Sequence, residues 1–145
     1  MTLYQQDLLP NIISGVSAGS LVSAALCTFK RHELPQFINN FNQMHRFPIL
    51  SWTKDSIFDK VTAFVNSKSF ISNEQIKLFI RDICSDLTFL EVYEHNDWIL
   101  NINVTEQSTG QSILLNYLTA PNVVIWSACV ASCSIPGYYE PYQLL

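Results

Sequence analysis

Asn11–Val22, with the sequence NIISGVSAGSLV, is the stretch that decides the fold, and it contains one Gly-x-Ser-x-Gly motif centred on Ser17. A short apolar run comes before the motif, and a run of small and apolar residues follows it. This order predicts a strand, a sharp turn at Ser17 and then a helix, the context in which the motif indicates a nucleophilic serine. At average glycine usage of about 7% the motif alone appears by chance in roughly one chain in twenty of this length, so its flanks carry the interpretation.

The predicted turn has a definite chemistry. It places Ser17 at the carboxyl end of a strand, in a strained backbone conformation and at the positive end of the following helix. Gly15 and Gly19, on either side, are predicted to let the strand and the helix approach without a Cβ clash. The backbone N–H of Ala18 is the predicted donor to a developing oxyanion. Together with Val16, these residues form the candidate catalytic site.

The composition excludes several classes of protein. The 145 residues suffice for one domain, and a net charge of −4 without a basic cluster argues against nucleic acid as a partner. No apolar run reaches the ~18 residues of a membrane span, and no secretory signal pattern is present, so we expect an intracellular protein without a transmembrane segment. The four cysteines form no Cys-x-x-Cys pair and are predicted to be reduced core thiols. Neither a metal nor a cofactor is predicted.

Apolar residues at helical spacing predict helices over residues 2–9, 19–28, 33–46, 55–66 and 72–86. The first is expected to stop at Pro10, and the last to begin with a capping box at Ser72. Residues 47–52 are predicted to form an apolar loop.

The second half of the chain is predicted to contain strands as well as helices. Thr88–Tyr93 fits either a helical turn or a short extended segment. Trp98–Thr105 alternates as a strand, with Leu100, Ile102 and Val104 toward the core, and residues 112–117 follow as a second strand. Thr119 is predicted to cap a helix over residues 123–132 with Pro121 in its first turn. The mixture predicts a three-layer α/β fold whose central, mainly parallel sheet contains Ile12 and Ile13.

With both ends taken together, the chain resembles the patatin-like phospholipase domain, and most closely its fungal and plant triacylglycerol lipase branch. Residues 8–24 carry the resemblance at the front, and residues 115–128 and 131–137 carry it at the back. Residues 86–89 and 100–104 also look like that branch, so the resemblance covers nearly the whole chain. Val16 stands where threonine or serine is common.

The resemblance implies a Ser–Asp dyad without histidine, with Ser17 as the nucleophile and a glycine-rich loop as most of the oxyanion hole. Neither that loop nor the Asp-Gly motif of the family is found in the chain. We therefore expect residues 1–145 to be the central portion of one patatin-like domain, a three-layer sandwich incomplete at both ends, and inactive in isolation. Ser132–Gly137 is expected to pack close to the Ser17 turn.

The same resemblance implies a serine lipid ester hydrolase, most closely a triacylglycerol lipase. Its expected partners are a neutral lipid ester or a phospholipid at a lipid droplet or membrane surface. Residues 47–52 fit either contact with such a surface or burial of an apolar loop under a helix. An alternative is a catalytically inactive fragment or a lipid-surface binding module. A Ser-Asp-His triad would need Asp82 or Asp86 with His95, but His95 lies in a polar stretch typical of a solvated surface histidine.

Overall fold

The computed structural model describes residues 2–37, 77–78, 80–81, 84–134 and 143–145. The predicted helix over residues 55–66 and the predicted loop at 47–52 lie outside this part of the chain, as do most residues of the helices predicted at 33–46 and 72–86. None of the helices formed by the described residues has the length and apolar character needed to cross a membrane.

The first helix, α1 (Thr2–Gln5), is shorter than the predicted helix over residues 2–9. Asp7 adopts the left-handed conformation, with φ at 54°, and the Leu8 N–H donates to the Leu3 carbonyl at 2.8 Å. These features form a Schellman motif, which satisfies the last carbonyls of a helix. The helix therefore ends at this left-handed cap and not at the proline.

The described sheet has three strands in the order β1 (Ile12–Val16), β2 (Ile99–Thr105) and β3 (Ser112–Leu115). β1 and β2 are parallel, with Val16 opposite Asn103, whereas β2 and β3 are antiparallel. A short connection joins β2 to β3, and only an antiparallel pair tolerates so short a link. The predicted α/β class is confirmed, with β2 in the middle of the described sheet and β1 parallel to it.

β2 carries much of the core. Leu100, Ile102 and Val104 are buried, at 2%, 0% and 9% exposure, as the alternation predicts. Asn101 is also buried, and its side-chain oxygen accepts a hydrogen bond from Asn116 Nδ2 at 3.0 Å, which offsets the cost of burying the amide. Both sides of the strand are therefore covered, and the contrast between them is weak.

The elbow helix, α2 (Ala18–Cys27), follows β1 after a single residue and matches the predicted helix closely. The side-chain amide of Asn96 donates to the carbonyls of Cys27 and Thr28 at 3.1 and 3.0 Å and so holds the C-terminus of α2. Beyond it, Arg31–Glu33 forms a 3-10 turn and residues 34–37 are helical. The start of the predicted helix over residues 33–46 is thus present.

The segment after Asp86, for which the sequence allowed two conformations, is a helix, α3 (Phe89–Asn96). Thr88 is its N-cap and forms a capping box with Glu91. The Thr88 N–H donates to the Glu91 carboxylate at 2.8 Å, and Thr88 Oγ1 accepts from the Glu91 N–H at 3.2 Å. Asp97 ends the helix in the left-handed conformation, with φ at 59°.

The last helix, α4 (Ile125–Cys133), begins later than predicted. Thr119 does not cap it, because the Thr119 hydroxyl donates to a carbonyl of β3 at 2.8 Å. Val124 is held extended by an antiparallel bridge to Thr88, so the helix begins only at the next residue. The prediction of a Thr119 cap with Pro121 in the first turn is therefore wrong, although the helix itself is present.

The core lies between β2 and the helices, where Trp98, Phe89 and Ile125 are almost completely buried. α2 and α4 pack against each other and against the sheet, and α3 contacts β2. All four cysteines are free thiols, three of them buried, which confirms the prediction of reduced core thiols. Burial raises the pKa of Cys27 to about 12, so this thiol stays protonated near neutral pH.

Candidate active site

Ser17 stands at the junction of β1 and α2 in a strained backbone conformation. Its φ is 52° and its ψ is −128°, in the half of conformational space that favours glycine. Its side chain is exposed, and although Ser17 is the N-cap residue of α2, the side chain makes no cap hydrogen bond. The predicted sharp, strained turn is therefore present, and it leaves the serine accessible at the positive end of a helix.

Two other serines hold the strained Ser17 backbone on its two sides. The Ser17 N–H donates to Ser132 Oγ at 2.9 Å. The Ser17 carbonyl accepts from Ser20 Oγ at 2.6 Å and from the Ser20 N–H at 2.9 Å. A strained residue persists only where its surroundings over-determine its conformation, and these hydrogen bonds do so here.

The predicted approach of the C-terminal segment to the elbow is confirmed for Ser132, which lies in the last turn of α4. Cys133 also lies in the last turn of α4, and burial raises the pKa of its thiol. The Cys129 thiol, one turn earlier, donates to the Ser20 carbonyl at 3.6 Å. Residues 135–137 of the predicted segment lie outside the described residues.

The two glycines of the motif differ in what they make possible. A Cβ on Gly15 would lie 2.6 Å from Ser23 Oγ and would clash with the backbone carbonyl of Gly19. A Cβ on Gly19 would meet no atom of the described residues within 4 Å. The predicted requirement for a residue without Cβ is therefore confirmed at Gly15, whereas nothing in the described part of the chain requires it at Gly19, which takes part in the close contact through its backbone.

The first turn of α2 provides a backbone donor beside the serine. The Ser17 N–H is occupied by Ser132, so the next N–H along the chain is that of Ala18. Within the described ranges, no acceptor bonds to the Ala18 N–H, and Ala18 is exposed. A negative charge that develops next to Ser17 would meet this N–H and the positive end of the helix dipole.

Asp86, a candidate acid of the alternative Ser-Asp-His triad, bonds to residues away from the elbow. Asp86 accepts hydrogen bonds from the Arg81 guanidinium at 2.7 and 2.6 Å and from Trp126 Nε1 at 3.0 Å, and the Arg81 hydrogen bond lowers the pKa of Asp86. Trp126 is in the first turn of α4 and Ser132 in its last, so the two are separated by about 9 Å along the helix axis. Asp86 is therefore held away from the elbow, and Asp82 lies outside the described residues.

His95 lies at the opposite end of the sheet from Ser17. It is exposed on the last turn of α3, shortly before β2 begins, where Ile99 pairs with Ile12. Ser17 follows the other end of β1, about 13 Å along the strand. A triad of Ser17, Asp86 and His95 is thus excluded, and the prediction of a solvated His95 is confirmed. In the described part of the chain, no carboxylate or imidazole bonds to the Ser17 hydroxyl.

The role of Ser20 was missed by the sequence analysis, although a signal for it exists. Ser20 stands three residues after Ser17, a spacing at which a serine in the first helical turn reaches the carbonyl of the N-cap residue. The hydrogen bond between Ser132 and Ser17 is different. It joins residues 115 positions apart, and no local pattern indicates it.

Comparison with known proteins agrees with this geometry. The sequence model of the family described as patatin-like phospholipase matches residues 3–144. Triacylglycerol lipase 4 of Saccharomyces cerevisiae is 38% identical over 149 residues, which cover 99% of this chain and 16% of that relative. Triacylglycerol lipase 5 of the same yeast is 36% identical over 148 residues, covering 98% of this chain and 20% of that relative. No solved structure gives a significant match.

A plant relative extends the comparison. Triacylglycerol lipase SDP1L of Arabidopsis thaliana is 32% identical over 152 residues, which cover 99% of this chain and 18% of that relative. The chain therefore spans roughly a fifth of the length of these curated relatives. A family match over nearly the whole chain, with a strained serine at a strand–helix junction, leads to one assignment: the chain belongs to the patatin-like phospholipase family.

Proposed function

We propose that Ser17 is the nucleophile of a serine lipid ester hydrolase, most closely a triacylglycerol lipase. The observation that carries the proposal is the exposed serine held at φ 52° between β1 and the N-terminus of α2. The family and the names of the similar yeast and plant lipases support the same reaction class.

In the proposed reaction, Ser17 Oγ attacks the ester carbonyl while its proton passes to an aspartate. The oxyanion that forms is stabilised by the Ala18 N–H and by donors from a glycine-rich loop. The ester C–O bond then breaks, and the proton goes to the departing alcohol. Water hydrolyses the resulting acyl-serine and restores the Ser17 hydroxyl.

We place the aspartate and the glycine-rich loop of this site outside residues 1–145. The sequence contains no Asp-Gly pair, and two of its four glycines belong to the Ser17 motif. Two of the described carboxylates are engaged elsewhere, Asp86 with Arg81 and Glu91 with Thr88. A serine without a base is a weak nucleophile near neutral pH, so the chain by itself would hold only part of the machinery.

A lipid substrate fits the surface near the elbow. Val16, the residue before Ser17, is 59% exposed, and Val22, in the second turn of α2, is 72% exposed. Apolar side chains at these positions suit the acyl chains of a triacylglycerol or a phospholipid at a lipid droplet or membrane surface. Val22→Asn is expected to weaken co-flotation with a triolein emulsion while leaving hydrolysis of a soluble ester within about twofold. Unchanged flotation would count against this surface.

The test of the proposed function is hydrolysis by a protein that contains this chain. Ser17→Ala is expected to abolish cleavage of both a triacylglycerol emulsion and a short-chain nitrophenyl ester. Ser14→Ala is the matched control, because Ser14 is an exposed serine on β1 three residues before the nucleophile. Retained hydrolysis in Ser17→Ala, or no hydrolysis by the unsubstituted protein, would contradict the proposal.

A second assay examines residues 1–145 alone. We expect them to hydrolyse a nitrophenyl ester no faster than their own Ser17→Ala variant, because the base and most oxyanion donors are supplied from elsewhere. A reproducible rate that depends on Ser17 would show that the chain completes its own site. Emulsion binding without hydrolysis, in the longer protein as well, would favour a lipid-surface binding module instead.

A further inference from the structure

Ser132 interrupts the hydrogen-bond ladder between β1 and β2 at the nucleophile. The ladder begins with the Ile99 N–H donating to the Asn11 carbonyl at 2.9 Å, and Val16 lies opposite Asn103. In a parallel pair, every second residue of one strand bonds to the residues just before and just after its partner on the other, and Asn103 is in phase with Ile99. The next bond of this ladder would therefore run from the Ser17 N–H to the Asn103 carbonyl.

The Ser132 hydroxyl occupies that position. It accepts from the Ser17 N–H at 2.9 Å and donates its single proton to the Asn103 carbonyl at 2.7 Å. One ladder bond is thus replaced by two bonds through a side chain of α4. The inserted oxygen satisfies both backbone groups while it separates Ser17 from β2 by more than one hydrogen-bond length.

We infer that Ser132 is a positioning residue for the reaction, which sets the place of Ser17 relative to the sheet. This inference rests on the proposed function of Ser17. Without the hydroxyl, the Ser17 N–H and the Asn103 carbonyl can bond directly, and Ser17 then moves toward β2. Such a shift restores the lost hydrogen bonding but takes Ser17 Oγ out of line with its base and with the oxyanion donors. A displacement of about 1 Å at a reacting group can lower a rate by a factor near 100.

The test is a steady-state comparison of Ser132→Ala with Ser134→Ala in a protein that contains this chain, using a soluble nitrophenyl ester. Ser134 is the matched control, because its hydroxyl donates to the Val130 carbonyl at 2.9 Å on the same helix end, and among the described residues it makes no hydrogen bond to Ser17. We expect Ser132→Ala to lower kcat roughly 10- to 100-fold, with KM within about twofold and little change in Tm. Ser134→Ala is expected to keep kcat within about twofold.

Ser132→Cys guards against a folding defect in the alanine variant, because its thiol fills a similar space but is a weak donor and a weak acceptor. It should show the same fall in kcat. Wild-type kcat in a folded Ser132→Ala or Ser132→Cys protein would overturn the inference while leaving Ser17 as nucleophile intact. An equal fall in kcat for Ser134→Ala would also overturn it. Activity that survives Ser17→Ala would instead overturn the proposed function.

Discussion

The N-termini of α2 and α3 differ in their capping: α3 begins with a capping box, whereas the N-cap side chain of α2 makes no hydrogen bond to its helix. Each helix leaves its first N–H groups without partners inside the helix. At α3, Thr88 and Glu91 close a capping box, and Glu91 also accepts from the Thr88 hydroxyl at 2.9 Å. At α2, the cap residue Ser17 makes no cap hydrogen bond and is strained.

If Ser17 is the nucleophile that we propose, the difference separates a helix terminus that serves stability from one that serves the reaction. At α3 the chain satisfies its own donors with its own side chains. At α2 the backbone of Ser17 is fixed by Ser20 and Ser132, while no group in the described part of the chain bonds to the Ser17 hydroxyl or to the Ala18 N–H. A preorganised donor beside an accessible nucleophile is the arrangement that stabilises a developing oxyanion. Substitutions at the two termini should therefore affect different quantities.

The largest expected effect on stability comes from Gly15→Ala, at the approach of β1 to α2. The new Cβ would lie 2.6 Å from Ser23 Oγ and against the Gly19 carbonyl, which is backbone and cannot rotate away. We expect the free energy of unfolding to fall by about 3 kcal/mol, at the upper end for overpacking. Gly19→Ala is the control, since its Cβ meets none of the described residues within 4 Å, and it should change stability by no more than about 1 kcal/mol. Equal losses in urea unfolding would contradict this reading of the turn.

Thr88→Ala should lower stability without a direct effect on the chemistry. It removes the acceptor of the Glu91 N–H and the hydroxyl bonded to the Glu91 carboxylate. Loss of an N-cap side chain typically costs about 1 kcal/mol, which urea unfolding resolves. Ester hydrolysis by the folded variant should stay within about twofold. A fall in kcat as large as that of an elbow variant would break the distinction between the two termini.

Ser17→Gly should have effects opposite to those of Thr88→Ala, because it should raise stability and abolish ester hydrolysis. Glycine adopts φ 52° without the strain that a serine carries there, so relief of order 1 kcal/mol is expected in the free energy of unfolding. Hydrolysis should be lost, because the nucleophile is gone. A variant that is both inactive and clearly less stable than the parent would show that the Ser17 side chain contributes to the fold.

The smallest expected effect is on the fall of thermal stability at low pH, to which Glu91 in α3 contributes. The hydrogen bonds from the Thr88 N–H and hydroxyl lower the pKa of Glu91 in the folded protein. A carboxyl with a lowered folded-state pKa stabilises the fold above its unfolded-state pKa, and this contribution is lost as the pH falls through the folded-state value. Glu91→Gln should therefore flatten the decline of Tm below about pH 4.5. An unchanged decline of Tm would mean that protonation of Glu91 has no measurable effect on the stability of the fold.

The sequence predicts the elbow well because its determinants are local. A Gly-x-Ser-x-Gly motif between an apolar strand and a small-residue helix defines the turn, and Gly15 has the predicted role in packing. The sequence also contains a Thr-x-x-Glu capping pattern from Thr88 to Glu91, a signal that was missed, so the segment fitted either a helical turn or a short extended segment. Thr119 illustrates the opposite error, since a hydroxyl suited to capping bonds to β3 instead.

What the sequence could not show are contacts made only after the chain folds. The approach of Ser132 to the elbow was predicted, but not that its hydroxyl would replace a ladder bond between β1 and β2. The delayed start of α4 depends on the bridge from Val124 to Thr88, which pairs residues far apart in the sequence. Tertiary contacts of this kind override the local preferences that sequence reasoning uses.

The most direct test of the account is the site of covalent modification by a serine-directed phosphonate in a protein that contains this chain. After reaction and proteolysis, mass spectrometry locates the phosphonyl group on a peptide and on a residue. The account predicts one adduct, on Ser17, which is absent from Ser17→Ala and unchanged in Ser14→Ala. An adduct on any other serine, or one that persists in Ser17→Ala, would contradict the assignment of Ser17 as the nucleophile.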